Sequence, residues 1–200
     1  PPPPPPYFFL KQNTAYERGV RVVGSVMCIR DRGGPTPVPL DNIRSITTYF
    51  TGTLSINIAR EAWLRGASVE LILGKGSRTA PDYINTKIAA TFEEYASILK
   101  KSLNDKTFDW GIFTAAVADF QPLKVYKGKL SSKIKQLDLK LMPTPKMVEE
   151  VRKKYPDLKT VTFKYEENVS HKELIKIAKK PFSKKGGPEM VVANRAEEFK

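Results

Sequence analysis

Trp110-Gly-Ile-Phe-Thr-Ala-Ala-Val-Ala-Asp119 runs apolar for most of its length and then ends on a carboxylate. A short apolar run bounded by polar segments is the pattern of a strand covered on both faces, as in a parallel sheet. Its surroundings support that reading. Over 92–103, Phe92, Tyr95, Ala96, Leu99 and Leu103 share one helical face behind Thr91 as N-cap. Leu54 to Arg65 places Ile58, Ala59, Ala62 and Trp63 at helical spacing, Gly66 supplies the C-terminal cap, and Val69-Glu-Leu-Ile-Leu73 follows as a strand. The order is α, β, α, β. Downstream, Gln136 to Met142 alternates as a short strand, and Thr144-Pro145 predicts an N-cap with proline at the first position of a helix reaching Tyr155. Thr160 to Phe163 reads as a strand. Ser170-His-Lys-Glu173 is a capping box with Val169 and Leu174 placed as a hydrophobic staple, opening a helix that stops before Pro181, and Glu189 to Asn194 is the last strand. Alternating strands and helices predict a three-layer α/β/α architecture with a Rossmann-like, mostly parallel sheet, whose ligands sit beyond the carboxyl ends of the strands.

The 200 residues are 40% apolar and carry a formal charge of +13. That length suits one domain with a sizeable core. The single cysteine, Cys28, excludes an intrachain disulfide, and with the single histidine, His171, it leaves no ligand set for a metal-thiolate cluster or a Cys/His zinc site. The sequence has neither an apolar run of membrane-spanning length nor the order of a secretory signal, so a cytoplasmic protein with no membrane partner is expected. Residues 121–185 hold 18 Lys and Arg against 7 Asp and Glu, so most of the positive charge lies in this half. Such a surface attracts phosphates, on nucleic acid or on small metabolites alike. The lysines are not interleaved with stacking aromatics, which argues against a nucleic-acid partner.

The first 32 residues differ from the rest. They open with six prolines and end in Met27-Cys-Ile-Arg-Asp-Arg32, which reads as the in-frame translation of a transposon end used in sequencing-library preparation (ATG TGT ATA AGA GAC AG). Residues 1–32 are therefore expected to be a non-native or disordered leader, with Val20-Arg-Val-Val23 as a candidate edge strand. Residues 33–200 form the expected domain, with a truncated C-terminus.

Several strand ends carry polar groups where a ligand would sit: Asp119, Phe163-Lys164 and Ala193-Asn194. Each alone is also what an ordinary strand-to-loop transition looks like. Gly33-Gly34 and Thr51-Gly-Thr53 flank the loop into the first helix, where free backbone N–H groups suit a phosphate, although simple turn geometry explains such glycines equally well. Gly74-Lys-Gly-Ser77 lacks the upstream glycine of a P-loop. The strand ending Leu73-Gly74-Lys75 lacks the acidic residue that NAD-binding folds place there; Lys75 leaves NADP less strongly disfavoured. Lys124, Lys127, Lys129, Lys133 and Lys135 lie in a long segment containing Gly128, which reads either as a solvated basic loop or as a flap that brings a cation onto a phosphoryl group.

Six ordered blocks then carry a resemblance: Gly33-Gly34 with Val38-Pro-Leu-Asp-Asn-Ile-Arg-Ser-Ile-Thr47 and Thr51-Gly-Thr53, Ala115-Ala-Val-Ala-Asp119, Gly128-Lys-Leu-Ser-Ser132, Pro143-Thr-Pro-Lys146, Thr162-Phe-Lys-Tyr-Glu166, and Val191-Val-Ala-Asn194. Together they resemble the phosphopantothenate–cysteine ligase family of coenzyme A biosynthesis, over residues 33–200. The resemblance implies activation of the 4′-phosphopantothenate carboxylate by CTP or ATP as an acyl-nucleotidyl intermediate, with magnesium on the phosphates, then displacement of the nucleotide monophosphate by the amine of L-cysteine. It also implies a homodimer. By position it makes Lys129 the flap lysine of the first step and Arg44 the arginine of the second. Phe113, Thr114, Ala115, Asp119, Pro145, Lys146, Met147, Val148 and Phe163 become nucleotide contacts, with Lys180 and Lys185 near the triphosphate. Four positions after Arg44 the family carries an asparagine that holds the acyl intermediate, where this chain has Thr48. One hydroxyl replaces an amide with two donors and an acceptor. The alternative reading is thus a nucleotide-binding paralogue with impaired or altered catalysis.

Overall fold

The computed structural model describes residues 7–10, 28–114, 118–183 and 186–198. Its strands and helices follow in the order β1 (Tyr7–Leu10), β2 (Cys28–Gly33), β3 (Val38–Pro39), β4 (Ser45–Ile46), α1 (Thr53–Leu64), β5 (Ser68–Gly74), β6 (Asn85–Ala89), α2 (Phe92–Asp105), β7 (Trp110–Phe113), β8 (Phe120–Pro122), β9 (Leu141–Pro143), α3 (Met147–Lys154), β10 (Lys159–Glu166), α4 (His171–Lys179) and β11 (Met190–Arg195). Seven strands form one sheet in the order β1-β11-β10-β7-β2-β5-β6, parallel throughout except for antiparallel β1 at one edge. Taken in chain order, the six parallel strands run 3-2-1-4-5-6. The chain winds outward in one direction from β2, then crosses over and winds outward from β7 in the other, so the reversal point lies between β2 and β7.

The layers follow from the alternation of side chains along β5. Val69, Leu71 and Leu73 pack with Ile56 and Ala59 of α1 on one face, while Ile72 packs with Phe92, Tyr95, Leu99 and Val151 of α2 and α3 on the other. Leu174 and Ala178 of α4 pack on Val191 and Ala193. The register Phe113–Thr162–Val191 puts those strand residues on the α2 and α3 side. One helix on one face and three on the other is what right-handed crossovers demand at such a reversal.

The strands expected at 69–73 and 160–163 are present and extend by two and four residues, the one expected at 189–194 is shifted by one to Met190–Arg195, and the apolar run opening at Trp110 is a ladder strand only to Phe113. Helix α2 begins where Thr91 accepts from the Glu94 amide. Helix α4 begins at the complete Ser170–Glu173 capping box, and Val169 packs on the Leu174 cluster as a staple would. The helix ends at Lys179, and Pro181 falls in a 3-10 turn, Lys180–Ser183.

Elsewhere the fold departs from expectation. Thr144 does not cap α3: its hydroxyl donates to Ala118 O at 2.6 Å, and the helix starts at Met147 with Lys146 as N-cap. The strand expected over 136–142 shrinks to Leu141–Pro143, because its partner β8 is three residues long and the ladder runs out. Strand β6 fits no helix-strand alternation, since no helix separates it from β5. The boundary drawn at residue 33 falls inside β2, whose backbone pairs with β5 and β7 on its two edges, so residues 28–32 lie at the centre of the sheet. The edge strand of this region is β1, while Val20–Val23 lies outside the described residues.

Candidate active site

At the carboxyl end of β2 the backbone is crowded to the point that side chains are excluded. A Cβ on Gly33 would lie 1.7 Å from Ser55 Oγ, and one on Gly74, at the end of β5, 1.4 Å from Pro35 O. Gly34 and Gly52 both have φ of 76°, a region that favours glycine. The Gly52 Cβ position is 3.3 Å from Gly34 N, so the turn after β2 and the start of α1 touch. No acidic side chain occupies the first turn of α1, and nothing there opposes an anion at its positive end. Ser55, buried in that helix, hydrogen-bonds the Thr114 hydroxyl, which ties α1 to the end of β7.

The segment leading to Asp119 is clamped from two sides. The Ala118 amide donates to Thr36 Oγ1 at 3.1 Å, Thr144 Oγ1 donates to Ala118 O, and the Thr144 amide donates to Asp119 O at 2.9 Å. Both threonines are buried. The backbone at Asp119 is therefore fixed between the loop after β2 and the entry to α3, while its carboxylate stays exposed. It pairs with Lys146 Nζ at 2.9 Å, an exposed ion pair worth about 0–1 kcal/mol and so readily exchanged for another partner.

The Lys129 segment lies against the loop that carries Arg44. The Tyr126 amide donates to Leu40 O at 2.9 Å, and the Asn42 amide donates to Gly128 O at 3.1 Å. Asp41 is central to this contact. Its Oδ1 accepts from the amides of Ile43 (2.8 Å) and Arg44 (2.6 Å), and its Oδ2 accepts from the Leu130 amide (3.0 Å) and Arg44 Nη1 (3.2 Å). Arg44 Nη2 also donates to Leu130 O at 3.2 Å. The Leu130 amide above all, then those of Ile43 and Arg44 and the guanidinium, hold the Asp41 carboxyl below the ordinary aspartate value against the desolvation that would raise it. Sequence reading missed Asp41 as a functional residue. The one local signal is its Asx-type turn with Ile43 and Arg44, since its tie to Leu130 spans 89 positions.

A cleft of about 540 Å³ opens along the loop that carries Arg44, lined among others by Pro35, Asp41, Arg44, Thr48, Lys75 and Thr91. Thr48 Oγ1 is buried there without a hydrogen-bond partner. Arg44, Thr48, Thr114, Asp119, Lys129, Pro145 and Lys146 thus fall on loops and element ends at the carboxyl side of the sheet, whereas Phe113, the last residue of β7, has its side chain buried in the core and not presented to a ligand. Phe163 is half-buried within β10 and pairs in register with Val192. Met147 is in the core, 3% exposed, packed with Val151 and Leu158, and Val148 packs partly on the same cluster, so their side chains hold the sheet and are not presented to a ligand. Lys180 is separated from the others. Helix α4 returns from the carboxyl end of β10, so the turn after it lies near the start of that strand, where the Glu189 amide donates to Thr160 O. Ala115 and Lys185 lie outside the described residues.

Residues 30–200 match the family model of the DNA/pantothenate metabolism flavoprotein C-terminal domain. The chain belongs to this family. The coenzyme A biosynthesis bifunctional protein CoaBC of Thermococcus kodakarensis is 37% identical over 170 residues, which is 83% of this chain and 40% of that protein, so the chain spans well under half of its relative's length. The solved DNA/pantothenate metabolism flavoprotein from Streptococcus pneumoniae is similar in fold, with a TM-score of 0.74 at 23% identity over 86% of this chain and 83% of that one. A Cab2 mutant in complex with phosphopantothenate-cysteine has a TM-score of 0.61 at 20% identity over 86% and 73%. In this DNA/pantothenate metabolism flavoprotein C-terminal domain, the family match starts inside β2 and takes in every parallel strand of the sheet.

Proposed function

We propose that this domain is a phosphopantothenate–cysteine ligase of coenzyme A biosynthesis, acting as a cytoplasmic homodimer with CTP or ATP as co-substrate. The observation that carries the reading is the docking of the Lys129 segment on the Arg44 loop, beside a glycine-built backbone cradle and the clamped Asp119 at the sheet's reversal point. The ligand named for the Cab2 relative and the biosynthetic role named for the archaeal one support it.

A carboxylate is a poor electrophile, so the reaction is split. A carboxylate oxygen of 4′-phosphopantothenate bonds to the α-phosphorus, the bond from that phosphorus to the bridging oxygen breaks, and pyrophosphate leaves with both electrons. The cysteine amine then bonds to the acyl carbon, the nucleoside monophosphate leaves, and the amine gives up a proton. Lys129 balances the charge gathering on pyrophosphate, and Arg44 with Thr48 meets the acyl intermediate. Thr114, Asp119, Pro145, Lys146 and Phe163 surround the nucleotide, joined by the backbone at Phe113, Met147 and Val148. Among the described residues no group of three or more His, Cys, Asp or Glu could hold a metal. Magnesium would be carried on the substrate phosphates, which themselves supply oxygen ligands. Lys180 and Lys185 receive no role.

Homodimer formation is supported by the apolar residues around the β8–β9 hairpin, where Phe120, Leu123, Val125, Leu141 and Met142 are exposed. Sedimentation velocity should show a dimer that Leu123→Glu with Leu141→Glu converts to monomer; a monomer in the unaltered chain counts against it. A second reading, a nucleotide-binding paralogue with impaired or altered catalysis, is favoured by Thr48. Nucleotide binding without turnover, recovered by Thr48→Asn, would select it.

A further inference from the structure

We propose that Asp41 is a positioning residue that latches the Lys129 segment to the Arg44 loop, setting both cations in place with one carboxylate; the proposal rests on the ligase reading above. Lys129 is exposed, and both of its chain neighbours are bound to residues 41–44. Gly128 O accepts from Asn42, Leu130 donates to Asp41, and Leu130 O accepts from Arg44. Arg44 is in turn held by the same Asp41 carboxylate through its amide and its guanidinium. The lysine of the first step and the arginine of the second therefore share one support, although 85 positions separate them in sequence (129 − 44).

The chemistry of the latch requires a carboxylate. Oδ1 is filled by the amides of Ile43 and Arg44, and Oδ2 by the Leu130 amide and Arg44 Nη1. An asparagine has one acceptor oxygen, so it can serve one of these pairs and must turn its own N–H donors toward the other. The Ile43 and Arg44 amides are two and three residues away, whereas Leu130 is brought in across a long loop. The oxygen of an asparagine is best used locally, and the latch to Leu130 is what it releases. Ordering the segment before substrates arrive removes that entropy cost from the reaction itself.

The test compares the 200-residue chain with Asp41→Asn by amide hydrogen exchange and by pyrophosphate release with phosphopantothenate and CTP or ATP in the absence of cysteine. In Asp41→Asn the Leu130 amide should exchange at least about tenfold faster while the core amide of Leu71 is unchanged. The kcat for pyrophosphate release should fall about tenfold, with the nucleotide KM changed less than about threefold, and Asp41→Glu should recover part of the kcat. Unchanged exchange at Leu130, a loss confined to KM, or acceleration of Leu71 in step with Leu130 would overturn the proposal. If the unaltered chain releases no pyrophosphate, the ligase reading fails, and the exchange comparison alone decides whether the latch exists.

Discussion

Thr48 carries a hydroxyl that is buried in the wall of the cleft with no hydrogen-bond partner. An orphaned polar group costs about 1–3 kcal/mol, so it is retained at the expense of stability unless a ligand completes it. Thr48→Val, which keeps the shape, should raise the urea midpoint by the equivalent of about 1 kcal/mol while slowing amide formation. A variant that gains stability and keeps full turnover would show that the hydroxyl does not meet the intermediate. At this scale the sequence exposed residue types and spacing but not who meets whom. Lys129, Arg44 and Asp119 stand out in the chain, whereas Asp41, Thr36 and Thr144 gain their roles only from partners 26 to 89 positions away.

Helix α4 shows how local signals survive folding. Ser170 Oγ accepts from the Glu173 amide at 3.3 Å, and the Glu173 carboxylate accepts from the Ser170 amide at 2.9 Å. Ser170→Ala should cost about 1 kcal/mol of unfolding free energy, read from a urea transition. The hydrogen bonds from the Ser170 amide and hydroxyl lower the Glu173 pKa. A carboxyl whose folded value is depressed stabilises above its ordinary value and loses that contribution as pH falls through the folded one. The Ser170→Ala penalty should therefore hold at neutral pH and shrink below about pH 4. Caps and periodicity made α1, α2 and α4 legible because their causes lie within a few residues. Strand β6 and the β8–β9 hairpin were not legible, because short strands depend on a partner elsewhere.

Strand β2 is the converse case. Three of its six residues, Arg30, Asp31 and Arg32, are charged, yet the strand lies between β5 and β7 in a sheet with helices on both faces. Such positions ordinarily carry apolar residues. Recovering the locus by a different library chemistry tests whether Met27–Arg32 is the translated transposon end: other codons are expected there, and the same codons reappearing would show the segment to be native.

For the whole molecule, the alternation of strands and helices was enough to predict a mostly parallel sheet between layers of helices, because the physics of crossovers leaves few topologies. The reversal point was not readable in advance, since it is set by which strands pair, and the charge-rich β2 forms one side of it. The same topology separates Lys180 from the cleft, although its position in the sequence resembled a triphosphate contact. Among the described residues no helix is long and apolar enough to cross a membrane.

The most direct measurement is pyrophosphate release by the 200-residue chain supplied with 4′-phosphopantothenate, magnesium and CTP or ATP, without cysteine, set beside Lys129→Gln. A carboxylate-dependent burst that disappears in the variant, with the core melting at the same temperature, is the expected result; no release from the unaltered chain, or equal release from Lys129→Gln, would contradict it.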